Sequence, residues 1–329
     1  MTTPDHDISF ACMGSTVRLL IGPAMAPDLP SPAEAARSAR AYLEEFDRRL
    51  SRFRPESELC QLNRDPRREV PASALLRAAV RAGVWAAEAT GGLVDPTLVS
   101  AIERAGYARS RRNLPPAPIE HALAVAPTRH GARPDPASRW EAIEVDDEAE
   151  VVHRPVGVAI DTGGTGKGLA ADAVAHRLRG YSRFVVDCGG DIRVGGPACS
   201  SAPYEIEVEH PLTRDRVRSL VIRSGGIATS GLSSRIWEDE RGGYAHHLLD
   251  PSTGRPAWTG LVAVTALAPT ALEAETIAKA SFLRGPEGAR ELLADWGGLL
   301  VLDDGRVEPA GWLGRPRRLH VRLPSERAA

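Results

Sequence analysis

The sequence predicts an α+β fold, in which an antiparallel or mixed β-sheet carries packed helices. Two helices open with complete capping boxes, Ser31-Pro-Ala-Glu34 and Thr270-Ala-Leu-Glu273. Alternating segments meet across short turns at 213–215 and at Asp304-Gly305, as they do in β-hairpins. Strands and helices do not alternate regularly, which excludes a pure βαβ repeat.

Length and charge narrow the class of protein. The 329 residues are 43% hydrophobic, enough to bury a sizeable core, so collagen-like and disordered chains are excluded. The chain has 41 basic and 43 acidic residues, a balance that offers no general positive surface for nucleic acid or an anionic membrane. The four cysteines are widely spaced, which argues against a zinc site and a disulfide framework.

Periodicity and helix caps predict the individual elements. In the first half they are a strand at 8–22, helices at 31–50, 72–90 and 96–105, and a 107–155 loop region with a short helix at 118–125. In the second half they are a strand at 156–161, a helix at 167–178, strands at 184–187 and 192–194, a hairpin at 202–223, a strand at 261–268, helices at 270–285 and 286–296, and a strand at 299–302.

The sequence also predicts how the chain is organised. We expect a flexible N-terminus at 1–8, one domain at 9–312 with two lobes joined by the 107–155 loop region, and an Arg- and Pro-rich tail at 313–329. No signal peptide or lipobox is visible, and no window reaches about 18 apolar residues. We therefore expect a cytoplasmic protein without membrane insertion.

The segment Asp161-Thr-Gly-Gly-Thr-Gly-Lys-Gly168 lies between a predicted strand and a predicted helix. Glycines permit close backbone approach, and a helix N-terminus offers free N–H groups and a positive dipole. These properties favour a phosphate or diphosphate, with Lys167 as the local cation. The spacing matches neither a Walker A loop nor a GxGxxG dinucleotide fingerprint. The alternative is a strand-to-helix turn with a surface lysine.

Lysine is scarce in this chain. Only Lys167 and Lys279 occur, so 39 of the 41 basic residues are arginine, a bias typical of GC-rich bacterial genomes. Glu275 and Lys279 stand at i, i+4 in a helix, which indicates either a surface ion pair or a pair placed at a ligand.

A histidine next to an Asp-Pro turn is the candidate general base. His247 precedes Asp250-Pro251, and histidine exchanges protons near neutral pH. His246 and His247 do not have metal-ligand spacing, because adjacent side chains on a strand point in opposite directions. The alternative is an ordinary histidine on a surface turn.

Seven segments together resemble the ApbE-type FAD:protein FMN transferases over residues 9–312. The segments are Met13-Gly14-Ser15, Ser51-Arg-Phe53 with Ser57-Glu-Leu59 and Asn63, Gly92-Leu93-Val94-Asp95, Asp161–Gly168, Gly189–Asp191, Ala228–Gly231 and His247–Pro256. The resemblance implies an ApbE-like, T-fold-like architecture with an antiparallel sheet and packed helices.

The resemblance also implies an activity. Such enzymes cleave FAD at its diphosphate, pass FMN to a Ser or Thr hydroxyl of an acceptor flavoprotein and release AMP. His247 would be the base, and the residues that would contact FAD are Met13, Phe53, Leu93, Val94, Asp95, Gly163, Leu169 and Leu249. The alternatives are an FAD-binding relative that acts as an FAD pyrophosphatase or a flavin store, and a protein that has lost flavin.

The implied metal site is where the chain departs from the family. Mg²⁺ would be held at positions that correspond to Gly166, Glu275, Ala278 and Lys279. Gly166 and Glu275 are the predicted ligands, whereas Ala278 and Lys279 replace the usual ones. A protonated lysine cannot ligate a metal. The resemblance therefore implies Mg²⁺, whereas Lys279 argues against it. Two alternatives follow: Gly166 and Glu275 hold the metal together with the phosphates, or the Lys279 ammonium takes the place of the cation.

Overall fold

A large antiparallel sheet organises the computed structural model, which describes residues 5–111, 114–239 and 242–311. Its strand order is β1-β2-β6-β7-β10-β15-β16-β17, and each neighbouring pair is antiparallel. In chain order the strands are β1 (His6–Cys12), β2 (Ser15–Ile21), β3 (Glu69–Pro71), β4 (Glu144–Asp146), β5 (Val151–His153), β6 (Phe184–Cys188), β7 (Ile192–Gly195), β8 (Tyr204–Glu209), β9 (Arg216–Ile222), β10 (Gly225–Gly231), β11 (Ile236–Glu238), β12 (Tyr244–His246), β13 (Leu249–Asp250), β14 (Arg255–Pro256), β15 (Leu261–Ala268), β16 (Gly298–Leu302) and β17 (Val307–Ala310).

Helices pack on this sheet, which confirms the predicted α+β class. They are α1 (Pro32–Leu50), α2 (Glu58–Arg64), α3 (Ala74–Thr90), α4 (Val99–Ile102), α5 (Ile119–Val125), α6 (Gly166–Arg177) and α7 (Ala271–Trp296). Both predicted capping boxes form, at Ser31 and at Thr270. The 72–90 helix begins at Ala74 instead, because Ser73 caps it.

The first strand prediction needs correction. Residues 8–22 form a hairpin of two strands, β1 and β2, because Met13 and Gly14 both have positive φ and reverse the chain. Strand β1 begins at His6, where it pairs with Ile21, so residues 6–8 belong to the sheet and not to a flexible terminus. Residues 1–4 and the 313–329 tail lie outside the described residues.

The predicted strand at 156–161 is wrong. This segment is a turn followed by an irregular stretch in which Ile160 is buried. The Asn63 side chain replaces a neighbouring strand, since its Oδ1 accepts from Ile160 N at 2.8 Å and its Nδ2 donates to Ile160 O at 2.8 Å. Two hydrogen bonds from one amide therefore satisfy the backbone just before the glycine-rich loop.

The predicted break between the helices at 270–285 and 286–296 is confirmed. The backbone leaves helical geometry at Gly285, whose φ of 76° interrupts α7 just before Pro286. The segment labelled α7 thus consists of the two predicted helices joined at a kink, and it packs on β10 and β15. Its long first segment carries Glu275 and Lys279.

Two contacts join the starts of α6 and α7. Asp172 of α6 accepts from Ala271 N at 3.0 Å and from Leu272 N at 2.9 Å, so it caps α7. Gly168 comes so close that a Cβ there would lie 2.7 Å from Ala271 O and from Leu272 Cα. Only glycine permits this approach, and it brings the glycine-rich loop beside α7.

In the part of the chain that the structure describes, four small sheets complete the fold, namely β3-β5-β4, β8-β9, β11-β12 and β13-β14. The 107–155 region contains α5, β4 and β5, so it has more regular structure than the single short helix expected. The division of the domain into two lobes stays a prediction. Among the described residues, no helix combines the length and the apolar character needed to cross a membrane.

We expect Asn63→Ala to destabilise the protein, because both buried backbone groups of Ile160 lose their partner. Urea unfolding should show a loss of about 1–3 kcal/mol in the free energy of unfolding. Gln61→Ala is the matched control, since Gln61 is exposed on the same helix and its side chain donates to Glu56 O at 3.0 Å, a bond at the protein surface. Equal stability of the two variants would contradict this account of the 156–161 segment.

Candidate active site

One large cavity gathers most of the predicted site residues. Its volume is about 810 Å³, towards the upper end of the range usual for small-molecule sites. The hairpin turn at Met13, the segment after α1, the glycine-rich loop and the 247–249 segment all contribute to its wall. The predicted residues that line it are Met13, Phe53, Leu93, Val94, Asp95, Gly163, Gly166, His247, Leu249 and Lys279.

Three predicted residues do not line the cavity. Leu169 is half-buried and packs against the core that α1 and the first strands form. Glu275 lies behind the wall and reaches the cavity only through its contact with Lys279. Ala278 is fully buried in the core around α7. A direct contact of Leu169 with FAD therefore has no support in this geometry.

The cavity wall carries more positive than negative charge. Among the described residues, three carboxylates line it, Asp47, Asp95 and Asp161. The seven cationic side chains are Arg52, Arg54, Arg111, Lys167, Arg214, Arg235 and Lys279. The same wall includes apolar and aromatic side chains such as Phe53, Leu98 and Tyr107. The cavity thus suits an anionic ligand that also has a flat apolar part.

Arg52 holds the glycine-rich loop in place. Its Nε lies 3.3 Å from Asp161 Oδ2, and Asp161 Oδ1 accepts from Gly163 N at 3.0 Å. Arg52 also donates to Tyr107 O at 2.7 Å and stacks 4.3 Å from the Phe53 ring centroid. One buried guanidinium therefore connects the loop to the aromatic part of the cavity.

Phe53 belongs to a small aromatic cluster. Its ring centroid lies 5.2 Å from that of Tyr107, which in turn lies 5.5 Å from Trp237. Trp237 Nε1 donates to Ala105 O at 3.0 Å, so the cluster is fixed by both packing and hydrogen bonding. These residues are far apart in sequence, and only Phe53 was predicted to be part of the site.

Both lysines of the chain form ion pairs at the cavity. Lys167 pairs with the buried carboxylate of Asp191. Lys279 Nζ donates to Gly164 O at 3.0 Å and to Glu275 Oε1 at 3.3 Å. Burial works to lower the pKa of Lys167, but the Asp191 and Glu275 carboxylates outweigh it and raise that pKa. Lys167 is therefore charged at neutral pH.

Glu275 is the buried centre of this charge network. Its Oε2 accepts from Gly168 N at 2.9 Å, while its Oε1 faces Lys279. Burial and the nearby Asp191 carboxylate raise the pKa of Glu275, and the two lysines and the Gly168 N–H oppose this shift. Both oxygens thus already have partners supplied by the protein.

The donor set does not fit the Mg²⁺ site that the family implies. Mg²⁺ requires several oxygen ligands in near-octahedral arrangement. Here Ala278 has no ligand atom, Lys279 brings a cation, and Glu275 already bonds Gly168 N and Lys279. No cluster of three or more His, Cys, Asp or Glu side chains in the described part of the chain is arranged to hold a metal.

His247 has the geometry of a neutral base. Its Nδ1 lies 3.3 Å from Arg235 O, and a carbonyl can only accept, so Nδ1 carries the proton and Nε2 keeps a lone pair. Burial, together with the charges of Arg235 and Lys279 and the adjacent His246, lowers the pKa of His247 well below its ordinary value. The imidazole is therefore neutral at neutral pH, with a lone pair on Nε2. The same shift weakens it as a base, and an anionic ligand in the cavity would oppose that shift.

The His246 side chain points away from the cavity that His247 lines, as expected for adjacent residues on a strand. It is fully buried, its ring is edge-on to Trp258 at 4.8 Å, and its Nδ1 accepts from Leu248 N at 3.3 Å. Its Nε2 has no hydrogen-bond partner among the described residues. Burial lowers the pKa of His246 to about 3.

These features define a site for an anionic ligand with an apolar part, beside a neutral histidine. A sequence model described as the ApbE family matches residues 13–302, so the chain belongs to the ApbE family. The FAD:protein FMN transferase of Klebsiella pneumoniae is 29% identical over 271 residues, which cover 80% of this chain and 75% of the relative. That of Salmonella typhimurium is 28% identical over 277 residues, with 81% and 75% covered.

Solved structures agree with this assignment. The ApbE protein of Thermotoga maritima matches with a TM-score of 0.75 and 27% identity, covering 93% of this chain and 97% of that one. The apo flavinyl transferase ApbE of Pseudomonas stutzeri matches with a TM-score of 0.73 and 23% identity, covering 94% and 96%, and supports the fold alone. The predicted ApbE-like architecture is confirmed.

We expect His246 to make the fold sensitive to acid. Below pH 6.5 the unfolded chain gains a proton at His246 that the folded chain rejects, so stability present above pH 6.5 is lost as pH falls towards 3. The free energy of unfolding should drop by about 1.4 kcal/mol between pH 7.5 and 5.5 from this residue alone.

Urea unfolding of His246→Phe at both pH values measures this contribution. The variant should lose about 1.4 kcal/mol less than the parent over this interval, whatever its stability at pH 7.5. The control is His121→Phe, because His121 is exposed on α5. An unchanged pH dependence in His246→Phe would show that His246 is not responsible.

Proposed function

We propose that this chain is an FAD:protein FMN transferase, which moves FMN from FAD to a Ser or Thr hydroxyl of an acceptor flavoprotein and releases AMP. The observation that carries the proposal is the neutral His247 in the same cavity as a glycine-rich loop at a helix N-terminus. The curated relatives with this name support it. The cytoplasmic location stays a prediction from the sequence.

Two parts of the cavity wall, which Arg52 connects, suit the two parts of FAD. The aromatic cluster at Phe53 offers a flat apolar surface for the isoalloxazine ring. The loop from Gly163 to Lys167 offers the start of α6 and the Lys167 ammonium for the diphosphate. The N–H groups of Gly163, Thr165 and Gly166 already bond within the segment, to Asp161 Oδ1 and Thr162 O. His247 lines the same cavity, so the proposal places the scissile P–O–P bond beside it.

The chemistry requires a base because a hydroxyl is a weak nucleophile. The lone pair on His247 Nε2 removes the proton of the acceptor hydroxyl, while Nδ1–H stays bonded to Arg235 O. The hydroxyl oxygen bonds to the phosphorus on the FMN side, and the bond from that phosphorus to the bridging oxygen breaks. AMP leaves with that oxygen, and the cationic wall stabilises the charge that develops.

Hydrolysis of FAD by water would use the same base and the same bond. No observation favours that alternative, or a flavin store, over transfer to a protein hydroxyl. The acceptor with a Ser or Thr target is part of the proposal, and so is FAD as the substrate.

We expect His247→Ala to slow FMN transfer by about 10²- to 10⁴-fold, because the acceptor hydroxyl loses its base. FAD affinity should stay within about twofold, since His247 does not belong to the aromatic cluster or the glycine-rich loop. Mass spectrometry of the flavinylated acceptor gives the transfer rate, and flavin fluorescence gives the affinity. His176→Ala, which removes an exposed histidine of α6, is the control. Parent-like transfer by His247→Ala would remove His247 from the mechanism.

We expect Phe53→Ala to weaken FAD binding about tenfold, because the flavin loses an aromatic surface and Arg52 loses its stacking partner. Phe53→Tyr is the matched control and should bind FAD as the parent does. Fluorescence titration of both variants checks this. If Phe53→Ala binds FAD with the dissociation constant of the parent, the flavin lies elsewhere in the cavity.

A further inference from the structure

The two lysine side chains of this protein are largely buried, although lysine usually lies at the protein surface. The side chain of Lys167 is only 18% exposed and that of Lys279 only 14%, and each pairs with a carboxylate that is 2% exposed. Buried charges are costly unless they are paired, so a chain that uses arginine nearly everywhere else keeps these lysines for a specific reason.

Lys279 is placed between the glycine-rich loop and α7. Its Nζ donates to Gly164 O at 3.0 Å and to Glu275 Oε1 at 3.3 Å, and its Cδ lies about 4.0 Å from where a Cβ on Gly164 would be. An ammonium has three N–H donors. Two are accounted for by these contacts, and Lys279 lines the cavity, so the third is available to a ligand.

Hydrogen bonds hold the Glu275 side chain that pairs with Lys279. Glu275 is fixed through its second oxygen by Gly168 N at 2.9 Å, and Asp172 fixes the start of the same helix. The ammonium is therefore held in place by the fold itself and needs no ligand to order it. Such a preorganised cation lowers the cost of binding an anion.

We propose that Lys279 is the built-in cation of this site and contacts the diphosphate of FAD, so that FAD binds without a divalent metal ion. The inference rests on the proposed function, because it takes FAD as the ligand. Lys167 and Arg235 line the same cavity and add further positive charge, which compensates for the smaller charge of one ammonium compared with Mg²⁺.

FAD titration by flavin fluorescence tests this proposal, with EDTA in one series and Mg²⁺ in the other. The dissociation constant of the parent for FAD should agree within about twofold between the EDTA series and the Mg²⁺ series. Lys279→Met should bind about 10- to 100-fold more weakly in EDTA, because it loses a charged hydrogen bond to the ligand. Arg40→Met is the control, since Arg40 forms an exposed i, i+4 pair with Glu44 away from the cavity.

A second pair of variants separates binding from folding. Lys279→Met leaves the Glu275 carboxylate without its lysine, so Glu275→Gln combined with Lys279→Met removes both charges, and thermal denaturation shows whether it folds. This double variant should also bind FAD weakly. Glu275→Asp combined with Lys279→Thr replaces the ammonium by oxygen ligands, and its FAD affinity should rise at least tenfold when Mg²⁺ is added.

Two results would overturn the inference. One is an FAD affinity of the parent that rises tenfold or more with Mg²⁺, together with stoichiometric Mg²⁺ binding in calorimetry. The other is a folded double variant that binds FAD as the parent does. Failure of the parent to bind FAD under either condition would instead overturn the proposed function, so the two failures are distinguishable.

Discussion

The site depends on the junction between the starts of α6 and α7. Gly168 allows the two helices to touch, Asp172 caps α7, and the buried Glu275 carboxylate binds the Gly168 N–H. These three contacts determine where the glycine-rich loop lies relative to Lys279. Without them, a helix N-terminus and a cation that are more than 100 residues apart in sequence would not face the same cavity.

Burial lowers the pKa of both adjacent histidines, His246 and His247, but the consequences differ. His246 is packed against Trp258 inside the core, and its low pKa has consequences only for stability in acid. His247 faces the cavity, and its low pKa keeps the imidazole neutral where a base is needed. The Arg235 carbonyl then selects the tautomer, so the backbone leaves the lone pair on Nε2.

Local signals predicted much of the fold. Capping boxes at Ser31 and Thr270 and the apolar run at 261–268 gave element bounds close to those observed, because caps and periodicity act within a few residues. The hairpin at Met13 was missed, since a non-glycine residue there has positive φ. The 156–161 segment was wrongly predicted as a strand because a distant side chain, Asn63, takes the role of a neighbouring strand.

The site, like the fold, was predicted where the signal is local in sequence and was missed where it depends on long-range contacts. The family resemblance located the residues that motifs carry, including His247 and Phe53, but gave no sign that Leu169 packs into the core. Arg52 and Trp237 were missed, because arginine is common in this chain and their importance comes only from long-range contacts. The scarcity of lysine was the one compositional signal that pointed to the charge network.

The most direct test of this account is a simultaneous measurement of both products. The protein is incubated with FAD and an acceptor flavoprotein, and mass spectrometry of the acceptor is combined with chromatography of the nucleotides. The account predicts one AMP released for each FMN attached to a Ser or Thr of the acceptor. AMP and free FMN in equal amounts, with no gain in the mass of the acceptor, would contradict it.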